Sequence, residues 1–269
     1  MDLQLDNRRA LVTGSTSGIG YAIAQGLAAE GAHVVITGRS EPSVQDALAR
    51  LRQALPQARA TGIAADCATA EGADTVFAQV PEVEILVNNL GIYERKPAFE
   101  ISDADWLRLF EVNVLSGVRF ARHYAPRMAK AGWGRVLFVS SESALNIPRE
   151  MIHYGMTKTA QLSISHGMAM ELAGTGVTVN ALLPGPTRTD NTEKMRTERA
   201  KAAGKTVAEL EEEFFTVFPT DVAHQALHVG RGGRQPRGVS VQHPGVRDDR
   251  RRAARRWRCR QSDHVGRER

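Results

Sequence analysis

The sequence predicts an α/β protein built on a doubly wound parallel sheet. Three observations carry that prediction. Short apolar runs alternate along the chain with segments of helical period. The runs are apolar throughout, as strands are when helices cover both faces of their sheet. A glycine-rich turn, Gly14 to Gly20, joins the first run to the first helical segment.

Arg9-Ala10-Leu11-Val12-Thr13 reads as the first strand. After the turn, Ile19, Ile23 and Leu27 recur at helical spacing, and Gly31 supplies the stop. Val34-Val35-Ile36-Thr37 is the second strand. Pro42 to Leu55 is a helix, with Pro42 suited to the first turn, where no N–H is needed. Ala58 to Ala65 is a weaker third strand, and Glu84-Ile85-Leu86-Val87 a fourth. Asp105 to Lys130 is one long helical stretch, followed by a fifth strand at Arg135-Val136-Leu137-Phe138-Val139. His153 to Leu172 is a helix with Gly174 near its end, and Gly176-Val177-Thr178-Val179-Asn180 is the sixth strand. Strands alternating with helices make parallel βαβ units. Residues 188–213 are polar and read as a helical, mobile flap. No internal repeat is visible.

The chain has 269 residues, 42% apolar and 24% charged. That suits one large α/β domain or two small ones, with a core that needs neither disulfides nor metal. No run of about 18 apolar residues marks a membrane helix. Met1 to Asp6 lacks the basic start of a signal peptide. Cys67 and Cys259 give no disulfide framework and no metal-ligand spacing, so a cytoplasmic location is expected. The net charge of +5 hints at nucleic acid, but its distribution argues otherwise. Residues 1–217 hold 22 Lys and Arg against 25 Asp and Glu, a net of −3; residues 218–269 hold 13 Arg against 5 acids, a net of +8. The body is slightly acidic and the positive charge sits in a tail.

Glycines in the Thr13-Gly14-Ser15-Thr16-Ser17-Gly18-Ile19-Gly20 turn allow close approach to a pyrophosphate, which would rest on the following helix N-terminus. Alone, such a turn is a weak sign. The second strand ends in Thr37-Gly38-Arg39. NAD-binding folds place an acid there for the ribose 2′-hydroxyl; here that position is Gly38, and Arg39 suits a 2′-phosphate. The pattern therefore reads as NADP over NAD.

Tyr154 and Lys158 stand four apart on one helix face. A tyrosine near pKa 10 is a poor acid or base at neutral pH, and a nearby ammonium lowers that value. Ser141 lies just past the fifth strand, 13 residues before Tyr154. Asn88-Asn89-Leu90-Gly91 follows the fourth strand at the equivalent edge, where open α/β sheets bind ligands. Asn113 lies within the long helix, where asparagine has mediocre propensity.

Taken together these residues resemble the short-chain dehydrogenase/reductase family. Its glycine turn has the T-G-x-x-x-G-x-G spacing, and the resemblance implies a Rossmann-type sheet. Asn113, Ser141, Tyr154 and Lys158 fall on the family's catalytic tetrad. Asn88 to Gly91 is similar to its N-N-A-G motif, with Leu90 replacing alanine, and brings Asn89 and Gly91 to the cofactor. The glycine turn implies cofactor contacts from Gly14, Ser15, Ser17, Gly18, Ile19 and Gly20. Asp66 resembles the residue that holds the adenine. Asn180 to Thr189 resembles the N-x-x-x-P-G-x-x-x-T segment on the nicotinamide side, placing Pro184, Gly185, Thr187 and Thr189 there. The resemblance covers about residues 5–217.

The implied chemistry is hydride transfer between NADP(H), with NAD possible, and a small carbonyl or secondary-alcohol substrate. Ser141 would bind the substrate oxygen and Tyr154 would exchange a proton with it. Lys158 would lower the tyrosine pKa and hold the nicotinamide ribose. Asn113 would anchor a water relaying protons to Lys158. Glu94, Leu145, Ile147, Met151, Ile152 and Pro186 flank these positions and suggest a moderately apolar pocket. His153 is expected to point off the catalytic face. The family also implies a homotetramer and no membrane or nucleic-acid partner.

After Phe215 the family pattern stops. A further helix and a seventh strand ending in V-D-G-G would be expected, but residues 228–269 are rich in Arg and Gly with no amphipathic period. The genetic code offers an explanation. With arginine as CGN and third bases free, reading Asp248 to Arg258 one base later permits T-T-G-A-A-L-R-V-D-G-G, and a stop becomes available near His264. A frame change near residues 216–219 is therefore expected, making residues 218–269 an aberrant, disordered tail on a domain spanning 1–217. The alternative is a true basic appendage on a catalytically dead protein, binding nucleic acid or anionic surfaces through its arginines. It lacks lysine and any recognisable binding module.

Overall fold

The computed structural model describes residues 3–187 and 189–210. Residues 218–269, with the expected tail, lie outside them.

Six strands form one wholly parallel sheet: β1 (Arg9–Val12), β2 (His33–Gly38), β3 (Ala60–Ala64), β4 (Ile85–Asn88), β5 (Gly134–Val139) and β6 (Val177–Leu182). Their order in space is β3-β2-β1-β4-β5-β6. The direction of winding reverses between β1 and β4. The carboxyl ends of those two strands therefore diverge into the crevice where such sheets take ligands. The helices are α1 (Gly18–Ala29), α2 (Glu41–Ala54), α3 (Ala70–Gln79), α4 (Asp103–Phe110), α5 (Ser116–Ala131), α6 (Ile152–Glu171) and α7 (Asp190–Ala202).

The central strands bury both of their faces, which is why their runs carry no polar alternation, whereas the edge strands β3 and β6 leave Thr61, Thr178 and Asn180 exposed. Leu11, Val35, Leu86, Val136 and Phe138 face one way, packed with Val76 of α3 and Phe120, Tyr124 and Met128 of α5. Ala10, Val12, Ile36 and Val87 face the other way, against Ala24 of α1 and Val44, Leu48 and Leu51 of α2. The buried Tyr124 keeps its hydroxyl satisfied by donating to the Val80 carbonyl at 2.7 Å.

Two elements differ from the sequence reading. Helix α3 was not anticipated. Its start is marked by Thr69, whose hydroxyl accepts from the Gly72 N–H at 3.0 Å, and its buried side comes from small residues and Val76. The stretch expected as one helix from Asp105 to Lys130 is interrupted. A Ser102–Asp105 capping box opens α4, a π-helical segment runs from Glu111 to Leu115, and α5 follows. Residues 190–202 of the expected flap are helical, as α7.

Phe138 is fully buried between the sheet and α5. Phe138→Ala should cost about 3–5 kcal/mol, measured as a fall in unfolding free energy on urea titration.

Candidate active site

The glycine turn is stitched to its neighbours before any ligand is considered. The Ser15 hydroxyl donates to the Val12 carbonyl at 2.6 Å and accepts from the Thr37 N–H at 3.0 Å. The Ser15 N–H donates to the Thr37 carbonyl at 2.9 Å. Ser15 thus has its polar groups engaged within the sheet, and its contribution is to fix the turn. Gly14 and Gly18 have φ of +60° and +58°, which side chains rarely tolerate. At Gly20 a Cβ would sit 2.4 Å from Asn89 Nδ2 and 2.5 Å from the Gly14 carbonyl oxygen. That closeness has a purpose. Asn89 Nδ2 donates to the carbonyls of Thr13 at 3.0 Å and Gly14 at 2.9 Å, locking the end of β4 onto the turn.

Ser17 caps α1 without a side-chain hydrogen bond. The N–H groups of Gly18, Ile19 and Gly20 then have no intrahelical acceptor, as in anion-binding helix starts. Thr189 packs against the same turn, its Cγ2 3.4 Å from where a Gly18 Cβ would be. The Pro184 carbonyl accepts from the Glu142 N–H at 3.0 Å, and the Thr187 hydroxyl donates to the Gly185 carbonyl at 2.9 Å. The segment from Pro184 to Thr189 therefore joins the loop after β5 to the glycine turn. Arg39 is exposed and has no hydrogen-bond or ion-pair partner among the described residues. Asp66 is exposed too, and its carboxylate accepts from the Ala68 N–H at 3.0 Å.

The reactive group lies at the carboxyl end of β5. Ser141 accepts from the Ser143 N–H at 3.1 Å, and its hydroxyl is placed to favour the Tyr154 phenolate. Lys158 is buried one turn along α6. Its ammonium donates to the Val139 carbonyl at 2.9 Å and to Gln161 Oε1 at 3.4 Å, and lies 5.5 Å from the centre of the Tyr154 ring. Burial pushes the Lys158 pKa down to about 8. Burial also raises that of Tyr154, opposed by the Ser141 hydrogen bond and reinforced by the nearby Tyr93 and Glu142. The sequence reading has Lys158 lowering the tyrosine. In the protein alone, Lys158 is not among the groups that shift Tyr154; desolvation of the phenolate dominates, and Tyr154 remains a phenol at neutral pH.

Asn113 sits in the π-helical segment and is buried. Its Oδ1 accepts from the Ile92 N–H at 2.7 Å, and its Nδ2 donates to the Ile92 carbonyl at 2.9 Å and to the Thr157 hydroxyl at 3.0 Å. Asn113 thereby clamps the chain after Gly91 to α6. Its main-chain carbonyl accepts from Gln161 Nε2 at 2.6 Å. Gln161 thus bridges the Asn113 carbonyl and the Lys158 ammonium. Gln161 was not anticipated. The available sign was a polar residue three positions after Lys158, on a helix face that has to be buried.

Glu142 and Tyr93 also went unanticipated; both act electrostatically on Tyr154. The Tyr93 ring meets that of Tyr154 edge-on at 6.1 Å. His153, next to Tyr154, turns away from the site and packs edge-on to Trp106 at 5.9 Å.

Gln161→Met removes the donor to a buried carbonyl and an acceptor from a buried ammonium. A loss of about 1–3 kcal/mol is expected, read as a lower urea midpoint with unchanged slope.

The protein-family model described as short chain dehydrogenase matches residues 8–200. YvaG of Bacillus subtilis (strain 168), an uncharacterized oxidoreductase, is 47% identical over 235 residues, covering 83% of this chain and 89% of that protein. Dehydrogenase/reductase SDR family member 4 of Caenorhabditis elegans is 37% identical, covering 69% of this chain and 73% of its own length. The structure of L-sorbose reductase from Gluconobacter frateurii, complexed with NADPH and L-sorbose, superposes with a TM-score of 0.73 at 32% identity, covering 78% of this chain and 81% of that one. A 7α-hydroxysteroid dehydrogenase complexed with NADH and 7-oxo glycochenodeoxycholic acid gives 0.66 at 31% identity, covering 72% and 76%. With the parallel sheet and the joint placement of Ser141, Tyr154 and Lys158 at its edge, these matches show that the chain belongs to the short-chain dehydrogenase/reductase family of oxidoreductases.

Proposed function

We propose that this oxidoreductase interconverts a ketone and a secondary alcohol using NADP(H), with Tyr154 as general acid and base. The observation that carries this reading is the buried Lys158 ammonium held 5.5 Å from the centre of the Tyr154 ring, with Ser141 at the end of β5 acting on the same tyrosine. The turn fits a dinucleotide. Its helix start has unaccepted N–H groups, and nearby Asn88 is buried with neither amide atom hydrogen-bonded. Such orphaned groups call for a partner. Gly14 to Gly20 would take the pyrophosphate, Asp66 the adenine, Gly91 and Lys158 the nicotinamide ribose, and Pro184 to Thr189 the nicotinamide side. When bound, the cofactor supplies or accepts the hydride.

Ser141 holds the substrate oxygen by a hydrogen bond. Tyr154, a phenol at neutral pH, gives its proton to that oxygen as negative charge develops on it. The Lys158 cation then stabilises the phenolate left behind. Its own lowered pKa still leaves it mostly charged at neutral pH. In oxidation the same groups act in reverse, with the phenolate as base.

Arg39 and Gly38 favour NADP. Arg39 is exposed and unengaged at the end of β2, free to pair with a 2′-phosphate. The acid that would select NAD is missing at Gly38, where a Cβ would sit 2.4 Å from Thr16 Cγ2. NADPH and NADH in the two complexes above support a nicotinamide cofactor in general.

The remaining expectations belong to the same reading: a cytoplasmic enzyme, a homotetramer once its full-length ending is present, and residues 218–269 translated out of frame. Resequencing the 3′ third of the gene tests the last point. A base gained or lost near codon 217 makes it a sequencing error, whereas an unchanged sequence leaves a real mutation or a true basic appendage.

Tyr154→Phe should lower kcat by about 10²-fold or more while NADPH still binds, followed by its fluorescence; retained turnover would rule out the assignment. Arg39→Ala should weaken NADPH but not NADH, lowering the ratio of their kcat/KM values by about tenfold. Because burial raises the Tyr154 pKa, reduction should hold steady through neutral pH and fall in alkali, whereas oxidation should rise with pH.

A further inference from the structure

The substrate mouth contains a charge that the proposed reaction does not use. Glu142 directly follows Ser141, and its backbone is firmly held. Its N–H donates to the Pro184 carbonyl at 3.0 Å, and its own carbonyl accepts from the N–H groups of Leu145 and Asn146, both at 2.9 Å. The side chain is half-buried, yet its carboxylate has no hydrogen-bond or ion-pair partner among the described residues. Burial raises its pKa. It follows Ser141 directly in the chain, and its charge acts on Tyr154.

No cation among the described residues acts on it, and the cations of the loop after β4 and of α4 are paired elsewhere. Arg95 pairs with Glu150, Lys96 with Asp105 and Arg108 with Glu94. The surrounding wall is otherwise apolar or aromatic, with Leu145 and Ile147 exposed on the same loop and Tyr93 across from Tyr154. A half-buried carboxylate costs stability unless something donates to it. Here its rigid placement next to the substrate-binding serine points to a donor on the substrate.

We propose that Glu142 selects the substrate by accepting a hydrogen bond from a second hydroxyl group, one not involved in the redox step. The substrate class is then a hydroxy ketone and the corresponding polyol. The inference rests on the Ser141–Tyr154 reading of the site. Electrons and protons move as in any ketone reduction: hydride adds to the carbonyl carbon, Tyr154 protonates its oxygen, and NADPH becomes NADP⁺. Glu142 exchanges neither. It would also repel carboxylate or phosphate groups placed near the reacting carbon.

The test compares pairs of ketones differing by one hydroxyl, 1-hydroxy-2-butanone against 2-butanone and 3-hydroxy-2-butanone against 2-butanone, with NADPH at saturation. For the wild-type protein, kcat/KM should favour at least one hydroxy ketone by about tenfold or more, as a charge-assisted hydrogen bond allows. In Glu142→Leu that ratio should fall toward one, mainly through KM. Glu142→Gln, which keeps the shape and a neutral acceptor, should give an intermediate ratio and serves if the leucine variant does not fold. A ratio near one in the wild type, or the same ratio in both variants, overturns the selectivity role while leaving the reductase reading intact. Turnover of no ketone at all by the wild type overturns both.

Discussion

The structure is organised around keeping one ammonium inside the protein. Lys158 is buried and makes no ion pair among the described residues. Taking such a charge out of water is costly unless dipoles replace its hydration. Two dipoles do so, the Val139 carbonyl at the end of β5 and the Gln161 amide oxygen on α6. Each has further consequences. The first requires β5 to end where it does, which sets Ser140 and Ser141 at the sheet edge. The second turns the amide so that its nitrogen faces the Asn113 carbonyl, within the π-helical segment. Asn113 in turn holds the chain after Gly91. A single buried cation thus ties β5, α6 and the interrupted helix to one position, the position of Tyr154.

The second constraint is close approach at the switch point. The end of β4 reaches the glycine turn through Asn89, whose side chain occupies the space that a Cβ at Gly20 would take. The turn is therefore made by three segments distant in sequence: Thr13 to Gly20, Thr37 and Asn89. This pre-forms a helix start with free N–H groups, so the binding of an anion would need little reordering. The proposed reaction site and the helix start are both built at the carboxyl edge of the sheet, where Pro184 meets Glu142 and Thr189 meets Gly18.

The central strands were legible because burial on both faces removes polar residues from their runs, and β6 because its valines alternate with exposed Thr178 and Asn180. The glycine turn, Ser141, Tyr154 and Lys158 were legible because their spacing is set by local geometry: one turn of helix, or one strand-to-helix corner. Helix α3 was hidden because alanine and glycine make much of its buried side and leave little apolar period. The break at Glu111 to Leu115 was hidden because a π segment keeps helical composition, and only Asn113 hinted at it. Gln161 and Glu142 look ordinary in sequence. Their importance comes from what tertiary packing places beside them: a carbonyl from another helix in one case, the reacting tyrosine in the other. Asn89 and Ser15 read as cofactor contacts, and the structure adds that their side chains hold the turn itself.

The direct test of this account is the titration of Lys158 in the cofactor-free protein, followed by heteronuclear NMR of its side-chain carbon and nitrogen and assigned by comparison with a Lys158→Arg variant. A buried, dipole-held ammonium predicts a midpoint at about 8. A midpoint near the ordinary lysine value of 10.5 would mean that the ammonium is solvated. The arrangement around Tyr154 would then not be the one described.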